Sequence, residues 1–224
     1  NRSTPSSTLS PLSSPPVGLR IELHPQFSVP AANQHVNDLY LVVQGRGRVL
    51  GFDPVQGREV SAMVLEPGDI VGGEGLGGDR PHAPLPQPLL DYRVISASPL
   101  QIARLPQSKL AHWFKALPRV RENLYQRLKQ RQALLFFKTL TNLQPVASHR
   151  LQSLLPLLAP IQVEAGTRLQ EATPAQSGHF WLRQGQVQCL NNSSTHLPIG
   201  SDWGYPDDTP DQCIAVTDLH FYHL

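Results

Sequence analysis

The 224-residue chain is poor in charge, in cysteine and in long apolar segments. Only 16% of its residues are charged, against about a quarter in an average soluble protein, and the formal net charge is +2. This excludes a whole-chain field that would make nucleic acid or an anionic membrane an obligatory partner. The longest apolar runs, such as residues 134–137, cover only a few positions. Because roughly 20 apolar residues are needed to cross a bilayer, we expect no membrane span.

Cysteine and metal-binding motifs are equally scarce. Cys189 and Cys213 are the two cysteines, and neither lies in a CxxC motif. We expect them to be reduced core residues of a cytoplasmic protein, with a single disulfide as the alternative. The nine histidines include no His-x-His motif, and Gly-x-Ser-x-Gly is absent. We therefore expect no metal centre and no catalytic residues, and keep a cupin-like metalloenzyme only as a weak alternative.

Proline and glycine, by contrast, are abundant, with 22 and 16 residues. Residues 1–17 are rich in Ser, Thr and Pro and are predicted to be a disordered linker. The proline-rich segment 80–88 is predicted to be a loop. Short alternating runs predict strands at 19–23, 39–43, 47–52, 60–65, 93–97, 100–105, 161–164, 179–183, 187–190, 213–217 and 219–222. Helical spacing predicts helices that begin near 107 and span about 118–140 and 147–158.

One β unit is predicted to occur twice along the chain. Three pairs of segments match in order: 38–45 with 178–185 at an offset of 140, 68–72 with 200–204 at 132, and 100–105 with 219–224 at 119. Ordered matches with a steadily falling offset indicate duplication, with shorter loops in the second copy.

The repeated unit has a recognisable order. A strand ends in a glycine turn, a second strand leads to the Gly-Asp-x-apolar-Gly turn at 68–72, and a later x-Val-x-Ala strand leads into a helix. This order resembles the cyclic-nucleotide-binding domain family, which includes the catabolite activator protein and the regulatory subunit of protein kinase A. The resemblance implies a mainly β fold with helices: two antiparallel, jelly-roll-like β-roll domains, at 18–140 with its hinge helices and at 141–224, joined by an α-helical connector. It also implies cyclic AMP or cyclic GMP as the ligand.

In that family a cassette after the Gly-Asp turn binds the cyclic phosphate through backbone N–H groups, a Glu accepts from the ribose, and an Arg contacts the phosphate. The resemblance maps this site onto Gly72, Gly73, Glu74, Gly75 and Leu76, with Arg80 or Arg93 as the phosphate partner. The chain departs from the family because Gly73 stands at the Glu position and Leu90, beside Asp91, at the Arg position. A phosphate near that carboxylate would be repelled. We favour a turn without nucleotide, with Glu74 solvated and Arg93 on a surface strand, and keep nucleotide binding as the alternative.

The second copy departs further from the family. Tyr205 stands at the Glu position, Gln212 at the position of Arg93, and residues 207–211 contribute three aspartates. Because this negative charge disfavours a cyclic phosphate, we expect a structural or contact domain, with Trp203 as a core residue.

The predicted connector helix is the basic part of the chain. Residues 115–138 contain seven Lys or Arg and one Glu, a net charge of +6. The basic residues are Lys115, Arg119, Arg121, Arg127, Lys129, Arg131 and Lys138, and the apolar stripe between them is Leu117, Val120, Leu124, Leu128, Leu135 and Phe136. We predict an amphipathic connector whose apolar stripe packs on the β-roll and whose basic residues are solvated. Contact with DNA or a partner through this helix is the alternative, although no helix-turn-helix follows either copy.

These observations predict a non-catalytic regulatory module. Docking of a ligand or partner on one β-roll is expected to shift the hinge helices and bias an attached output domain. The segment 200–208 is similar to regulatory segments that precede bacterial peptidase-containing ABC exporters, so an ABC transporter is the expected output. The second copy ends where its own helices should begin, so we expect a longer bacterial protein, with a homodimer as a further expectation.

Overall fold

The computed structural model describes residues 19–23, 28–30, 38–74, 90–190 and 195–224. The predicted linker at 1–17 and the predicted loop at 80–88 lie outside these residues. The described strands are β1 (Leu19–Leu23), β2 (Ser28–Pro30), β3 (Leu39–Gln44), β4 (Gly47–Asp53), β5 (Arg58–Leu65), β6 (Ile70–Gly72), β7 (Tyr92–Ser96), β8 (Leu100–Leu105), β9 (Ala159–Val163), β10 (His179–Gln184), β11 (Val187–Cys189), β12 (Thr195–Leu197), β13 (Asp202–Gly204), β14 (Cys213–Ala215) and β15 (Leu219–His223). The helices are α1 (Gln107–Ala116), α2 (Pro118–Thr139), α3 (Ser148–Leu154) and α4 (Leu169–Ala172), with 3-10 turns at Leu155–Leu157 and Ala175–Ser177.

The strands form four antiparallel sheets, two for each β-roll. The first roll has the strand orders β1-β8-β3-β6 and β2-β7-β4-β5, and the second has β13-β10-β15-β9 and β12-β11-β14. This confirms the predicted fold class, a mainly β structure of two antiparallel β-rolls joined by helices. The sequence pattern missed β2, β6, β12 and β13, each of three residues, whereas the equally short β11 and β14 lie within the longer predicted runs 187–190 and 213–217. Three residues alone show too little alternation to be recognised as a strand.

The two rolls share local details at the matched positions. The pairing of β3 with β8 shifts register between Val42 and Gln44, and that of β10 with β15 shifts between Leu182 and Gln184, 140 positions later. Two backbone hydrogen bonds also recur: Val42 N to Asp69 O (2.8 Å) and Gly68 N to Val42 O (2.9 Å) in the first roll, and Leu182 N to Ser201 O (2.8 Å) and Gly200 N to Leu182 O (2.8 Å) in the second. The matched sequences therefore fold into matched backbone geometry.

A Gln-Gly turn ends both of the matched strands β3 and β10. Gly45 has φ +86° and Gly185 has φ +103°, a backbone region that favours glycine. A Cβ at Gly45 would overlap the carbonyl oxygen of Pro99, and one at Gly185 would lie 2.5 Å from the carbonyl oxygen of Asp218. Both turns need glycine for backbone conformation and for space.

The described residues form four buried clusters, and three of them contain side chains of α2. One lies inside the first roll and includes Val49 and Leu135, and another lies inside the second roll and includes Trp203. A third lies between the rolls, where Phe137 of α2 packs with Trp181 of β10. Leu135 and Phe137 are each 0% exposed, so the C-terminal half of α2 is enclosed from both sides.

The N-terminal end of α2 differs from the prediction. The helix begins at Pro118, where proline is well tolerated because the first helical N–H needs no partner. However, Leu117 and Val120 of the predicted apolar stripe are 53% and 51% exposed. The buried cluster at this end, Leu39, Leu110 and Leu124, begins one turn further along the helix, so the first turn of α2 is exposed.

The two cysteines form a disulfide, so the expectation of reduced thiols is wrong and the alternative holds. Cys189 on β11 and Cys213 on β14 are direct partners in the antiparallel register, with their Cα atoms 4.0 Å apart. Both are buried, as expected. The sequence separation of 24 residues did not reveal this register.

Candidate functional site

The first candidate site lies where β6 ends and the glycine-rich segment begins. Gly72 and Gly73 have φ +79° and +82°, and Glu74 follows them with its side chain 14% exposed. The hydroxyl of Tyr92 donates a 2.6 Å hydrogen bond to Glu74 Oε1, and Arg131 Nη2 lies 3.7 Å from the same oxygen. We call Glu74, Tyr92 and Arg131 the Glu74 cluster. The expectation of a solvated Glu74 is therefore wrong.

Tyr92 occupies the centre of this cluster. Its side chain points into the roll from β7, and burial raises the pKa of its phenol above the ordinary range, so the hydroxyl stays protonated and can donate to Glu74. The phenol oxygen also accepts hydrogen bonds from Gly72 N at 3.2 Å and from Arg131 Nη1 at 3.1 Å. One donor and two acceptor positions are thus all in use.

Arg131 reaches the cluster from α2 and is only 5% exposed. Its Nη1 donates to Ile70 O at 3.2 Å and its Nη2 to Gly72 O at 3.5 Å, while its buried Nε has no hydrogen-bond partner among the residues that the structure describes. The prediction of a solvated basic residue is wrong at this position. Leu128, Arg131 and Leu135 are spaced by three and four residues, so Arg131 lies on the apolar stripe of the helix and is buried with it.

The next residue of α2 holds the other end of the glycine- and proline-rich segment. Gln132 Nε2 donates to Leu90 O at 3.3 Å, and Leu90 N donates to Gln132 Oε1 at 2.8 Å. Arg131 binds the backbone at Ile70 and Gly72, just before the segment, and Gln132 binds it just after. Two adjacent helix residues therefore bind the described backbone on either side of residues 75–89, Arg131 at Ile70 and Gly72 and Gln132 at Leu90.

Arg93 is placed away from this cluster. It follows Tyr92 on β7, so its side chain points to the opposite face of the sheet, where its Nε and Nη2 bind the carboxylate oxygens of Glu59 at 2.5 Å. This bidentate pair raises the pKa of Arg93 and lowers that of Glu59. The structure thus brings Gly72, Gly73 and Glu74 together, but with Arg131 in place of Arg93. Gly75, Leu76 and Arg80 of the predicted site lie outside the described residues.

The sequence reasoning missed Tyr92, Arg131 and Gln132 as members of this site. For Arg131 and Gln132 a signal was available, since both are polar residues that follow Leu128 on a helix whose C-terminal half is apolar. The sequence around Tyr92 gives no such signal, because a tyrosine at the start of a strand is also common in a hydrophobic core without a binding role.

The second roll is filled at the corresponding place. Trp203 is 2% exposed. Its ring packs edge-on against Phe221, with the ring centroids 5.4 Å apart, and is stacked against Phe180, with the centroids 6.5 Å apart. Its indole N–H donates to Thr173 Oγ1 at 3.1 Å. This confirms Trp203 as a core residue. Tyr205, at the family's Glu position, is 84% exposed.

The described residues offer no group of three or more His, Cys, Asp or Glu side chains placed to hold a metal ion. In the same part of the chain, no helix combines the length and the apolar character required to cross a membrane.

Comparisons with known proteins find similarity only among solved structures. No protein-family model and no curated protein matches the chain. The catabolite activator protein of Thermus thermophilus is similar with 19% identity over 51% of this chain and 49% of that one, at a TM-score of 0.41, so this chain covers about half of its length. The regulatory domain of Toxoplasma gondii PKA, crystallised with cAMP, shows 14% identity over 92% and 77%, at 0.35. FixK2 from Bradyrhizobium japonicum shows 15% identity over 56% and 59%, at 0.41. With TM-scores below 0.5, these similarities assign no ligand or partner to this chain.

Proposed function

We propose that the chain is a non-catalytic regulatory module of two cyclic-nucleotide-binding-like domains, residues 18–140 and 141–224, which are coupled through α2. The second domain is proposed to be a copy of the first, because strand order, register shift and turn hydrogen bonds recur between them. In this proposal the first domain senses a ligand or partner, and the second passes the change to an output domain.

The observation that carries the proposal is the burial of one helix against both rolls. Leu135 of α2 belongs to the core of the first roll. Two residues later, the ring of Phe137 packs edge-on against Trp181 and tilted against Tyr222, both in the second roll. The ring centroids are 5.3 Å and 5.4 Å apart, respectively. Because these contacts are close-packed, the helix cannot move relative to one roll without disturbing its packing on the other. Such coupling becomes regulation if a ligand prefers one of two helix positions.

Tryptophan fluorescence can test the coupling directly. The chain has three tryptophans, and in a Trp113→Phe background the two that remain both lie on strands of the second roll, Trp203 in its core and Trp181 where it packs on α2. In this background, Val49→Ala should destabilise the buried core of the first roll by about 2 kcal/mol and lower the urea midpoint seen by the two remaining tryptophans. Val64→Ala is the matched control, since Val64 is 50% exposed. An unchanged midpoint in Val49→Ala would contradict coupled rolls.

The proposed ligand of the first domain is cyclic AMP or cyclic GMP, bound at residues 72–76 with Arg80 or Arg93 as the phosphate partner. The positive φ angles of Gly72 and Gly73 support close approach of a ligand to the backbone. The nucleotide would have to draw Glu74 away from Tyr92 and Arg131, and Arg93 away from Glu59. We therefore expect the nucleotide to bind weakly. If it does not bind, we propose that this surface contacts a partner protein instead.

Isothermal titration calorimetry with cyclic AMP, cyclic GMP and cyclic dinucleotides tests this ligand. If heat is observed, Arg80→Ala or Arg93→Ala should weaken binding by about 1.5–3 kcal/mol, the cost of a lost charge-assisted hydrogen bond. Arg46→Ala is a suitable control, because its side chain is 68% exposed and pairs with Glu66 on another turn. No heat at millimolar concentrations would remove the nucleotide and leave a protein-contact module.

The proposed output domain is a bacterial ABC transporter, and this chain is proposed to lie in the cytoplasm. Within the segment 200–208, the fold itself accounts for Gly200 and Trp203, which are buried. Tyr205, Asp207 and Asp208 are exposed and supply the surface proposed for the output contact. Co-purification with the transporter, and its loss in Tyr205→Ala, would support this contact. The Cys189–Cys213 disulfide argues against the cytoplasmic part of this proposal, because disulfides persist mainly in oxidising compartments.

A second candidate function is partner binding through the junction of α1 and α2. Trp113, Leu117 and Val120 are 46–53% exposed there, among exposed basic residues that include Lys115 and Arg119. Exposed apolar side chains favour a protein partner, or a second copy of this chain, over nucleic acid. Light scattering tests the homodimer, and salt-dependent binding to duplex DNA would instead support the nucleic-acid alternative.

A further inference from the structure

A cavity of about 390 Å³ lies between α2, α3 and the turn that joins β5 to β6. Its volume is in the range of small-molecule sites. Of the predicted nucleotide residues, the structure describes Gly72, Gly73 and Glu74, and none of these three lines the cavity.

The floor of the cavity is apolar. It consists of Met63 from β5, Ile70 from β6, Leu134 from α2 and Leu155 from the 3-10 turn after α3. Leu134 is buried, and the other three are half-buried. A ligand with an apolar body, such as a fused aromatic ring, would cover these side chains and remove apolar surface from water.

The polar wall of the cavity carries net positive charge. Arg127 and Arg131 contribute two guanidinium groups, and Asp69 contributes one carboxylate, which already accepts a 2.7 Å hydrogen bond from Glu66 N. Arg127 is exposed, and its one described hydrogen bond is a 3.3 Å contact with Gly68 O. The exposed amides of Gln130 and Gln152 complete the wall.

The buried guanidinium of Arg131 strengthens this positive potential. Among the described residues, its nearest carboxylate oxygen, on Glu74, is 3.7 Å away, beyond ordinary hydrogen-bond distance. Its buried Nε has no hydrogen-bond partner in that part of the chain. The charge is therefore only partly compensated in a region of low dielectric, where an anion nearby is stabilised more than it would be in water.

We propose that this cavity binds a small organic anion, with a carboxylate or phosphate group at Arg127 and an apolar ring body on the floor. The proposal goes beyond the regulatory function above and does not depend on it. Because Arg131 also binds the backbone at Ile70 and Gly72, an anion here would lie next to the residue that holds the start of the glycine-rich segment.

Heteronuclear NMR of the nitrogen-labelled chain tests the proposal with three probes: 2-naphthoate, 2-naphthyl phosphate and the neutral 2-naphthylmethanol. We expect saturable shifts of the side-chain amides of Gln130 and Gln152 with at least one anion, and binding of the alcohol weaker by about tenfold or more, which corresponds to about 1.4 kcal/mol. Comparison of the two anions distinguishes a carboxylate site from a phosphate site. Equal affinity for the alcohol, or no saturable shift at millimolar concentrations, would overturn the proposal.

Two pairs of variants locate the site. Arg127→Gln should weaken binding by about tenfold or more, whereas Arg119→Gln, on an exposed part of the same helix outside the cavity, should not. Gln152→Glu places a like charge on the rim and should weaken anion binding, whereas Ser153→Glu, its exposed neighbour outside the cavity, should do so less. Equal effects within either pair would show that only general charge attraction is involved and would overturn the site. The fluorescence test of coupling between the rolls is unaffected by either outcome.

Discussion

Replacing Arg131 with methionine should lower the free energy of unfolding by about 3 kcal/mol. Methionine keeps the unbranched apolar stem that packs with Leu128 and Leu135 but removes the guanidinium. Glu74 then loses its cation, and the carbonyl oxygens of Ile70 and Gly72 lose their side-chain donor. Removing one member of a buried ion pair commonly costs 3–5 kcal/mol. We take the lower end because Glu74 is 3.7 Å from Arg131 and retains the Tyr92 hydroxyl.

A double-mutant cycle separates the ion pair from the other contacts of Arg131. Glu74→Gln alone should cost about 2 kcal/mol, because it leaves the Arg131 charge without a counterion. In the double variant neither charge remains, so the total should fall short of the sum of the single variants by about 1–2 kcal/mol, in the range measured for residues in contact. Urea denaturation followed by circular dichroism provides all four values.

The matched control is Arg119→Met, which removes an exposed basic residue from the same helix and should change stability by less than about 0.5 kcal/mol. If Arg131→Met proved no more destabilising than this control, Arg131 would not be a buried anchor of the first roll. If the two single variants were strictly additive, Glu74 and Arg131 would not interact, and the Glu74 cluster would have to be abandoned.

Three further predictions concern the rest of the chain. Cys189→Ala should lower the free energy of unfolding by about 3 kcal/mol, because it removes a crosslink that spans 24 positions. The wild-type chain, unfolded without a reductant, should show no free thiol in an Ellman assay, and two free thiols would refute the disulfide. Trp203→Ala should cost about 3–5 kcal/mol in urea denaturation, whereas Tyr205→Ala, at an 84% exposed residue, should cost less than about 0.5 kcal/mol; similar costs would contradict the filled second roll. The pKa of Asp53 is lowered in the folded state by hydrogen bonds from the backbone N–H of Gln56, the side-chain amide of Gln144 and the backbone N–H of Val55. The contribution of the Asp53 carboxylate to stability is therefore present above the unfolded pKa of about 4 and is lost as pH falls below it. Asp53→Asn should therefore show a smaller loss of stability in acid than wild type, and identical pH profiles would contradict this.

The fold was largely predictable because its longer elements carry strong periodic signals. The predicted helix at 118–140 is observed as Pro118–Thr139, and the predicted strand at 100–105 is observed as Leu100–Leu105. The internal matches identified equivalent strands, since alternation and turn glycines are local properties of the sequence. What could not be predicted depends on contacts distant in sequence. The disulfide partners meet only through the register of β11 with β14.

The candidate site was predictable only in part. The Gly-Asp turn pointed to the consecutive residues Gly72, Gly73 and Glu74, and a nucleotide site there stays a prediction. The identity of their cation depended on which face of α2 packs on the roll, and the sequence suggested a solvated Arg131 because it lies among other basic residues. Its spacing from Leu128 and Leu135 was the better indicator. When a charged residue interrupts an apolar stripe at helical spacing, burial with a partner is the interpretation to test first.

The connection after the second matched segment supports the proposal that the two rolls differ in role. In the first roll, 19 residues (73–91) separate β6 from β7, and α2 holds this connection at both ends through Arg131 and Gln132. In the second roll only eight residues (205–212) separate β13 from β14. There the connection is closed by a hydrogen bond from Asp207 N to Gly204 O at 2.8 Å, and Trp203 fills the space beneath it. Polar contacts anchor the first connection on either side, and a ligand can replace such contacts, whereas an indole in a close-packed core leaves no room for a ligand. This contrast supports the proposal that the first roll senses a ligand or partner and that the second roll transmits the movement of α2 through Phe137 and Trp181.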